Sequence, residues 1–165
     1  MSRPSRSLSI AALVVVCVGA LAASATAATS KPATLHIMAI KPHIETLDFP
    51  PPGKSPGDLY VFDATIVKPN GRTVIGRVRG TQTSIKLENG TETVQGLITY
   101  ELGPGNELVI GGLSSYPLIG TELVKGKKYE RPVLGGSGRY AGASGTLTSR
   151  YLGGGRYDQV FRLTY

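Results

Sequence analysis

Alternation of apolar and polar residues is the dominant pattern in the second two-thirds of the chain. Residues 73–84 show it most clearly. Val74, Gly76, Val78, Gly80 and Gln82 fall on one face, and Ile75, Arg77, Arg79, Thr81 and Thr83 on the other. A period of two is that of a half-buried strand. Runs rich in aromatic and β-branched residues at 58–68, 95–102, 108–113, 146–152 and 157–165 read the same way, as does the earlier run 34–40 (TLHIMAI). Turn chemistry separates them: Pro69-Asn70-Gly71, Asn89-Gly90, Gly103-Pro104-Gly105-Asn106 and Gly153-Gly154-Gly155. Pro42, Pro50, Pro51, Pro52 and Pro56 punctuate a loop with no room for a helix. A polar loop is expected around Lys125, Lys127 and Lys128.

About eight closely spaced strands with no amphipathic helix predict an all-β fold. Closure into an eight-stranded antiparallel up-and-down β-barrel, calycin-like, removes the edges that such a chain would otherwise expose. A β-sandwich has much the same strand signature and stands as the alternative. An eight-stranded barrel is either filled by side chains or holds one small ligand. The face carrying Val74, Gly76, Val78, Gly80 and Gln82 suits the inside, where its glycines would leave space and Gln82 could orient a guest.

The first residues follow a different pattern. Arg3 and Arg6 precede an apolar run from Ile10 to Leu21, and Ala25-Thr26-Ala27 offers a small-x-small cleavage site. That is the layout of a secretory signal peptide over residues 1–27. The expected organisation is therefore a leader at 1–27, a flexible Pro-rich segment with a first strand at 28–56, and a β-barrel domain at 57–165. The expected localisation is secreted. Cys17 goes with the leader, so the mature chain has no thiol and no disulfide. The net charge of +7 falls to +5 when Arg3 and Arg6 are removed.

The candidate chemistry is sparse. The two histidines, His36 and His43, lack the spacing and partners of a metal site. No Gly-x-Ser-x-Gly elbow is present. Strand parity puts Tyr60, Phe62 and Ala64 inward and Asp63 outward, where Asp63 would pair with Arg77 or Arg79. Ile98, Tyr100 and Leu102 form another inward face. Tyr60, Phe62, Gln82, Ile98 and Tyr100 are thus the candidate ligand-pocket residues, with the tyrosines as its hydrogen-bonding groups. Plain core packing is the competing role for these aromatics. No metal and no cofactor is expected. Lys125, Lys127, Lys128 and Arg131, with Tyr129 among them, resemble a single-strand binder's mixture of basic and aromatic residues. The cluster is short and confined to one region, so a solvated loop is expected, with neither nucleic acid nor, after cleavage, membrane as partner.

One stretch is distinctive. Gly135-Gly136-Ser137-Gly138-Arg139-Tyr140, followed by Ala143-Ser144-Gly145, resembles the signature near the C-terminus of plant dirigent proteins, and allene oxide cyclases carry a similar turn. A phosphate-cradling loop would need a following helix, and a strand follows instead. Gly57-Asp58-Leu59-Tyr60-Val61-Phe62-Asp63, Val74-Ile75-Gly76-Arg77-Val78-Arg79-Gly80 and Glu107-Leu108-Val109-Ile110-Gly111-Gly112 are similar to three further dirigent segments, in the same order. The resemblance spans roughly residues 57–165. It implies an eight-stranded barrel, usually trimeric, whose mouth holds a small apolar molecule, in a secreted bacterial relative.

The chemistry of those families matches less well than the fold. Dirigent proteins place an aspartate after a first-strand histidine, where this chain has Ile37 after His36. A second aspartate is replaced by Ser114-Ser115-Tyr116-Pro117. For the arginine that precedes their signature, Tyr129 falls nearest, with Lys128 and Arg131 close by. The Glu and Asn of allene oxide cyclases correspond to Ala39 and Lys41, or to His43 and Glu45, and their interior cysteine to Gln82.

Three functions follow as expectations. The first is a secreted barrel that binds a small hydrophobic molecule without changing it. The second is an isomerase or cyclase that folds a reactive substrate into the productive conformer. The third is a structural or surface-interaction barrel filled by side chains. A cavity lined by Tyr60, Phe62, Gln82 and Tyr100 separates the first two from the third, and a carboxylate pointing into it favours the second.

Overall fold

The structure, a computed structural model, describes residues 31–118 and 123–165. The expected leader at 1–27 lies outside them. Eight strands follow one another around a closed barrel: β1 (Pro32–Leu47), β2 (Leu59–Val67), β3 (Val74–Glu88), β4 (Thr91–Glu101), β5 (Glu107–Pro117), β6 (Lys128–Gly136), β7 (Ser144–Gly153) and β8 (Arg156–Thr164). Every neighbouring pair is antiparallel, and β1 closes the ring against β8. The expected antiparallel barrel is present, and the sandwich alternative is excluded.

Two strands differ most from expectation. β1 does not stop at residue 40. A bulge between Ile40 and His43, with Lys41 at φ 53°, absorbs Pro42 and bends the strand. Its first half pairs with β8 as far as Ile40–Arg156, and its second half continues along β2 to Leu47–Leu59. The barrel therefore begins at Pro32, not at residue 57. The second difference is β6, which occupies residues assigned to a polar loop. Its buried positions are Tyr129, Arg131 and Val133, on alternate residues.

The barrel is packed at one end and hollow at the other. Ile37, Ile66, Leu102, Leu108, Leu147 and Phe161 fill the end where β4 turns into β5 and β6 into β7. The glycine-rich stretch closes that end. After β6 the chain makes a single 3-10 turn, Gly138–Tyr140, that buries the Tyr140 ring. Arg139 N donates to Asn106 Oδ1 at 3.0 Å and Arg139 Nη2 to the Leu102 carbonyl at 3.1 Å, which ties this turn to the β4–β5 turn. Gly138 sits at φ 58°, and a Cβ there would lie 2.4 Å from the Gly105 carbonyl oxygen. Only glycine allows that approach. The signature is thus the plug of the barrel, and the opposite end is left to hold something.

Candidate functional site

The hollow end is framed by the β1–β2 loop, the β3–β4 hairpin, Pro117 at the end of β5, Leu123 ahead of β6, and the β7–β8 turn. It encloses a cavity of about 150 Å3. That is the size of an engineered cavity that binds benzene. Its floor is Tyr100 set edge-on against Phe161, with ring centroids 5.0 Å apart at 88°. Phe62, Ala64, Val78, Val94 and Ile98 make most of the wall apolar.

All five candidate pocket residues face this space. Tyr60 and Phe62 come from β2, Gln82 from β3, and Ile98 and Tyr100 from β4. The glycines of β3 have another role than the expected one. A Cβ on Gly80 would stand 2.7 Å from the Leu97 carbonyl oxygen and 2.9 Å from Ile98 Cα. Gly80 and Gly76 let β4 close in on β3, and the open volume lies elsewhere.

Beside the polar side chains of Tyr60, Gln82, Ser149 and Gln159, two charged groups project from the strands into this wall, and neither is among the five candidate pocket residues. The first is Glu92, only 3% exposed. Tyr60 OH donates to Glu92 Oε1 at 2.7 Å, and Lys54 Nζ, from the β1–β2 loop, donates to Oε2 at 3.1 Å. Burial, and then the hydrogen bond to this carboxylate, push the Tyr60 phenol above its ordinary value, so it remains a donor. Glu92 was legible. In β4 the buried positions are Glu92, Val94, Gly96, Ile98 and Tyr100, one unbroken parity. Starting the strand at residue 95 left Glu92 in the turn.

The second is Arg131, 8% exposed. It was grouped with Lys125, Lys127 and Lys128 as a solvated patch, but the alternation of β6 turns it inward. Nε donates to Ser114 Oγ at 2.8 Å, and Nη2 donates to Tyr116 OH. With the Gln82 amide oriented to face the guanidinium, Gln82 Oε1 accepts from Nη2 at 2.9 Å and from Nη1 at 3.2 Å. Gly96 lies beside the guanidinium on β4, where a Cβ would stand in ordinary contact with Arg131 Cζ at 3.7 Å. Ser114 and Tyr116 come from the segment that replaces an aspartate in the dirigent pattern. The guanidinium thus meets the neutral oxygens of the segment that stands in place of that aspartate.

The remaining candidates face outward. Asp63 accepts from Arg77 Nη2 at 2.5 and 2.6 Å, with Arg79 at 3.7 Å, as strand parity predicted. His43 and Glu45 pair with each other in solvent at 3.1 Å. His36 lies against Asp158 at 2.6 Å, beside Arg150. Burial pushes the Asp158 carboxyl upward, but the hydrogen bonds from His36 and Arg150 outweigh it and hold it below its ordinary value. Among the described residues no group of three His, Cys, Asp or Glu side chains converges on a metal position.

The β1–β2 loop that carries Lys54 is held by Asp58, which is 1% exposed. Its carboxylate accepts from Phe49 N at 3.0 Å and Ser55 N at 2.7 Å. Those backbone donors, Ser55 first, lower its pKa. Gly57 N and the Asp58 carbonyl pair with the backbone of Ser84 on β3, both at 2.8 Å. The loop is thereby pinned across the mouth with Lys54 aimed at Glu92.

No protein-family model matches the chain, and no curated protein sequence is significantly similar to it. Solved structures are. A pyocyanin demethylase superposes with a TM-score of 0.66 at 18% identity, over 79% of this chain and 99% of its own. A pterocarpan synthase dirigent protein follows at 0.63 and 19%, over 82% and 89%. The fold is that of the dirigent barrels. A Diels-Alderase from Streptomyces koyangensis shares it at a TM-score of 0.58 and 17% identity, over 84% of this chain and 69% of the other. The dirigent-like barrel is thus a scaffold on which cyclisation chemistry is found, and this chain presents it with its own set of interior groups.

Proposed function

We propose that this dirigent-like barrel takes a small, largely apolar molecule into its open half and guides its cyclisation or isomerisation. The observation that carries the reading is Glu92, a buried carboxylate held by Tyr60 and Lys54 at the wall of a largely apolar cavity. The Lys54 and Tyr60 donors offset the cost of burying this charge, and they leave the carboxylate facing the cavity. Cyclisation of a reactive precursor needs mostly confinement in the right conformer, which a rigid barrel wall supplies. Glu92 adds a group able to take a proton from the guest and return it at another atom, so atoms balance without an oxidant or a reductant. Arg131 and the Tyr100 hydroxyl lie where negative charge on a guest oxygen would be stabilised. The likeness to a pterocarpan synthase and a Diels-Alderase supports the reaction class as an analogy of scaffold.

The setting belongs to the same proposal. The leader layout supports export. The family resemblance supports a homotrimer, and a row of exposed apolar side chains on the outside of β2, β4, β5 and β6 (Val61, Leu97, Leu113 and Leu134) would be covered by other copies. A non-catalytic host is the second reading, favoured by one fact: both Glu92 oxygens already have protein donors.

The two readings part on Glu92→Gln, which keeps the shape and removes the base. The small molecule that co-purifies with the protein from its host identifies the guest. Conversion of its precursor, followed by chromatography, is expected to slow by about 10²–10⁴-fold in Glu92→Gln, the usual contribution of a positioned acid–base group. Equal rates with and without either protein would leave the barrel as a host only.

A further inference from the structure

Resting on the host reading above, we infer that the preferred guest is an anion: a ring-sized apolar molecule with one acidic oxygen, a carboxylate, enolate or phenolate, seated on Arg131. Among the described residues, the charged side chains lining the cavity are Lys54, Glu92 and Arg131. Lys54 and Glu92 answer each other at 3.1 Å. Arg131 has no carboxylate at ion-pair distance among the described residues, although it is one of the most buried charges in the chain. Its partners Ser114, Tyr116 and Gln82 are neutral. They satisfy hydrogen bonds without cancelling charge, and among the described residues one Nη1 proton of the five guanidinium donors stays unclaimed. A buried cation left in that condition is costly, and a bound anion would relieve it.

Two further observations agree. The Tyr100 hydroxyl has no hydrogen-bond partner among the described residues, and it lies near enough to feel the Arg131 charge. It is the natural second donor to the same guest oxygen. The rim of the open end is basic as well. Lys125 lies along Gly153 in the β7–β8 turn, Lys41 lies beside Gly155 of that turn, and Lys127 sits 5.2 Å over the Tyr129 ring. A cationic mouth draws anions toward the cavity. The enclosed volume of about 150 Å3 accepts one aromatic ring, with the rest of the guest in the mouth.

Benzoate and benzamide, which match in shape and differ in charge, test this at fixed ionic strength by ligand-observed NMR. The expected result is benzoate binding about tenfold tighter, as a charge-assisted hydrogen bond should give. Arg131→Gln should remove the preference, so that benzoate and benzamide bind the variant with equal affinity. Equal affinities in the native protein would overturn the inference and leave a neutral host. A preference that survives Arg131→Gln would overturn it too. If neither compound binds, and the neutral fluorophore N-phenyl-1-naphthylamine does not either, the host reading itself falls. Should Arg131→Gln fail to fold, the native protein labelled with 15N-arginine decides. One guanidinium resonance should move with benzoate and stay with benzamide, and a still spectrum while benzoate binds overturns the assignment.

Discussion

Asp58 carries no candidate chemistry, yet its carboxylate decides where Lys54 stands. Its backbone hydrogen bonds lower its pKa below the ordinary 3.8. A depressed carboxylate contributes stability that is full above the unfolded-state value and is lost as pH falls through the folded one. Asp58→Asn should therefore melt below the native protein at neutral pH. The gap should narrow below pH 3.8 and close at lower pH. A gap that stays constant down to pH 2 would assign the loss to shape rather than to charge. At this scale the site was half legible. Tyr60, Phe62, Gln82, Ile98 and Tyr100 follow from parity within strands recognised by composition. Glu92 obeys the same parity at the start of a strand whose first turn charge and glycine disguise, and Arg131 obeys it inside β6, a strand that its charged residues hide. Asp58 was out of reach, because its partners are backbone groups of a loop whose path sequence alone does not specify.

At the scale of elements, strand chemistry was readable and strand ends were not. Asn89-Gly90 marks the β3–β4 hairpin correctly, with both residues at positive φ. Proline at 42 was read as the end of β1, whereas the bulge at Lys41 carries the strand past it. The β3 glycines were read as open space, whereas they mark contact with β4. Gly80→Ala would press a methyl against the Leu97 carbonyl and Ile98 Cα, both backbone atoms that cannot turn away. A loss of about 1–3 kcal/mol in urea unfolding is expected, the range for overpacking a filled position. No loss would mean that β3 and β4 stand further apart than the described geometry.

For the whole molecule, the consequence of closure is a division of labour along the barrel axis. The glycine-rich turn and the apolar cluster around Phe161 give one end its packing. The other end is left hollow, with a basic rim, a pinned loop and two interior charges. The most direct measurement of that division is native mass spectrometry of the protein purified gently from its own host, beside Gly96→Leu. Gly96 is buried on the inward parity of β4, and a side chain there would approach Gln82 Cγ and Arg131 Cζ, both of cavity-lining residues, so leucine would push into the space they border. The expected spectrum shows an oligomer, a trimer by the family resemblance, carrying one discrete small-molecule adduct per chain that Gly96→Leu lacks. A bare native chain that also fails to bind N-phenyl-1-naphthylamine would contradict the hollow-barrel account.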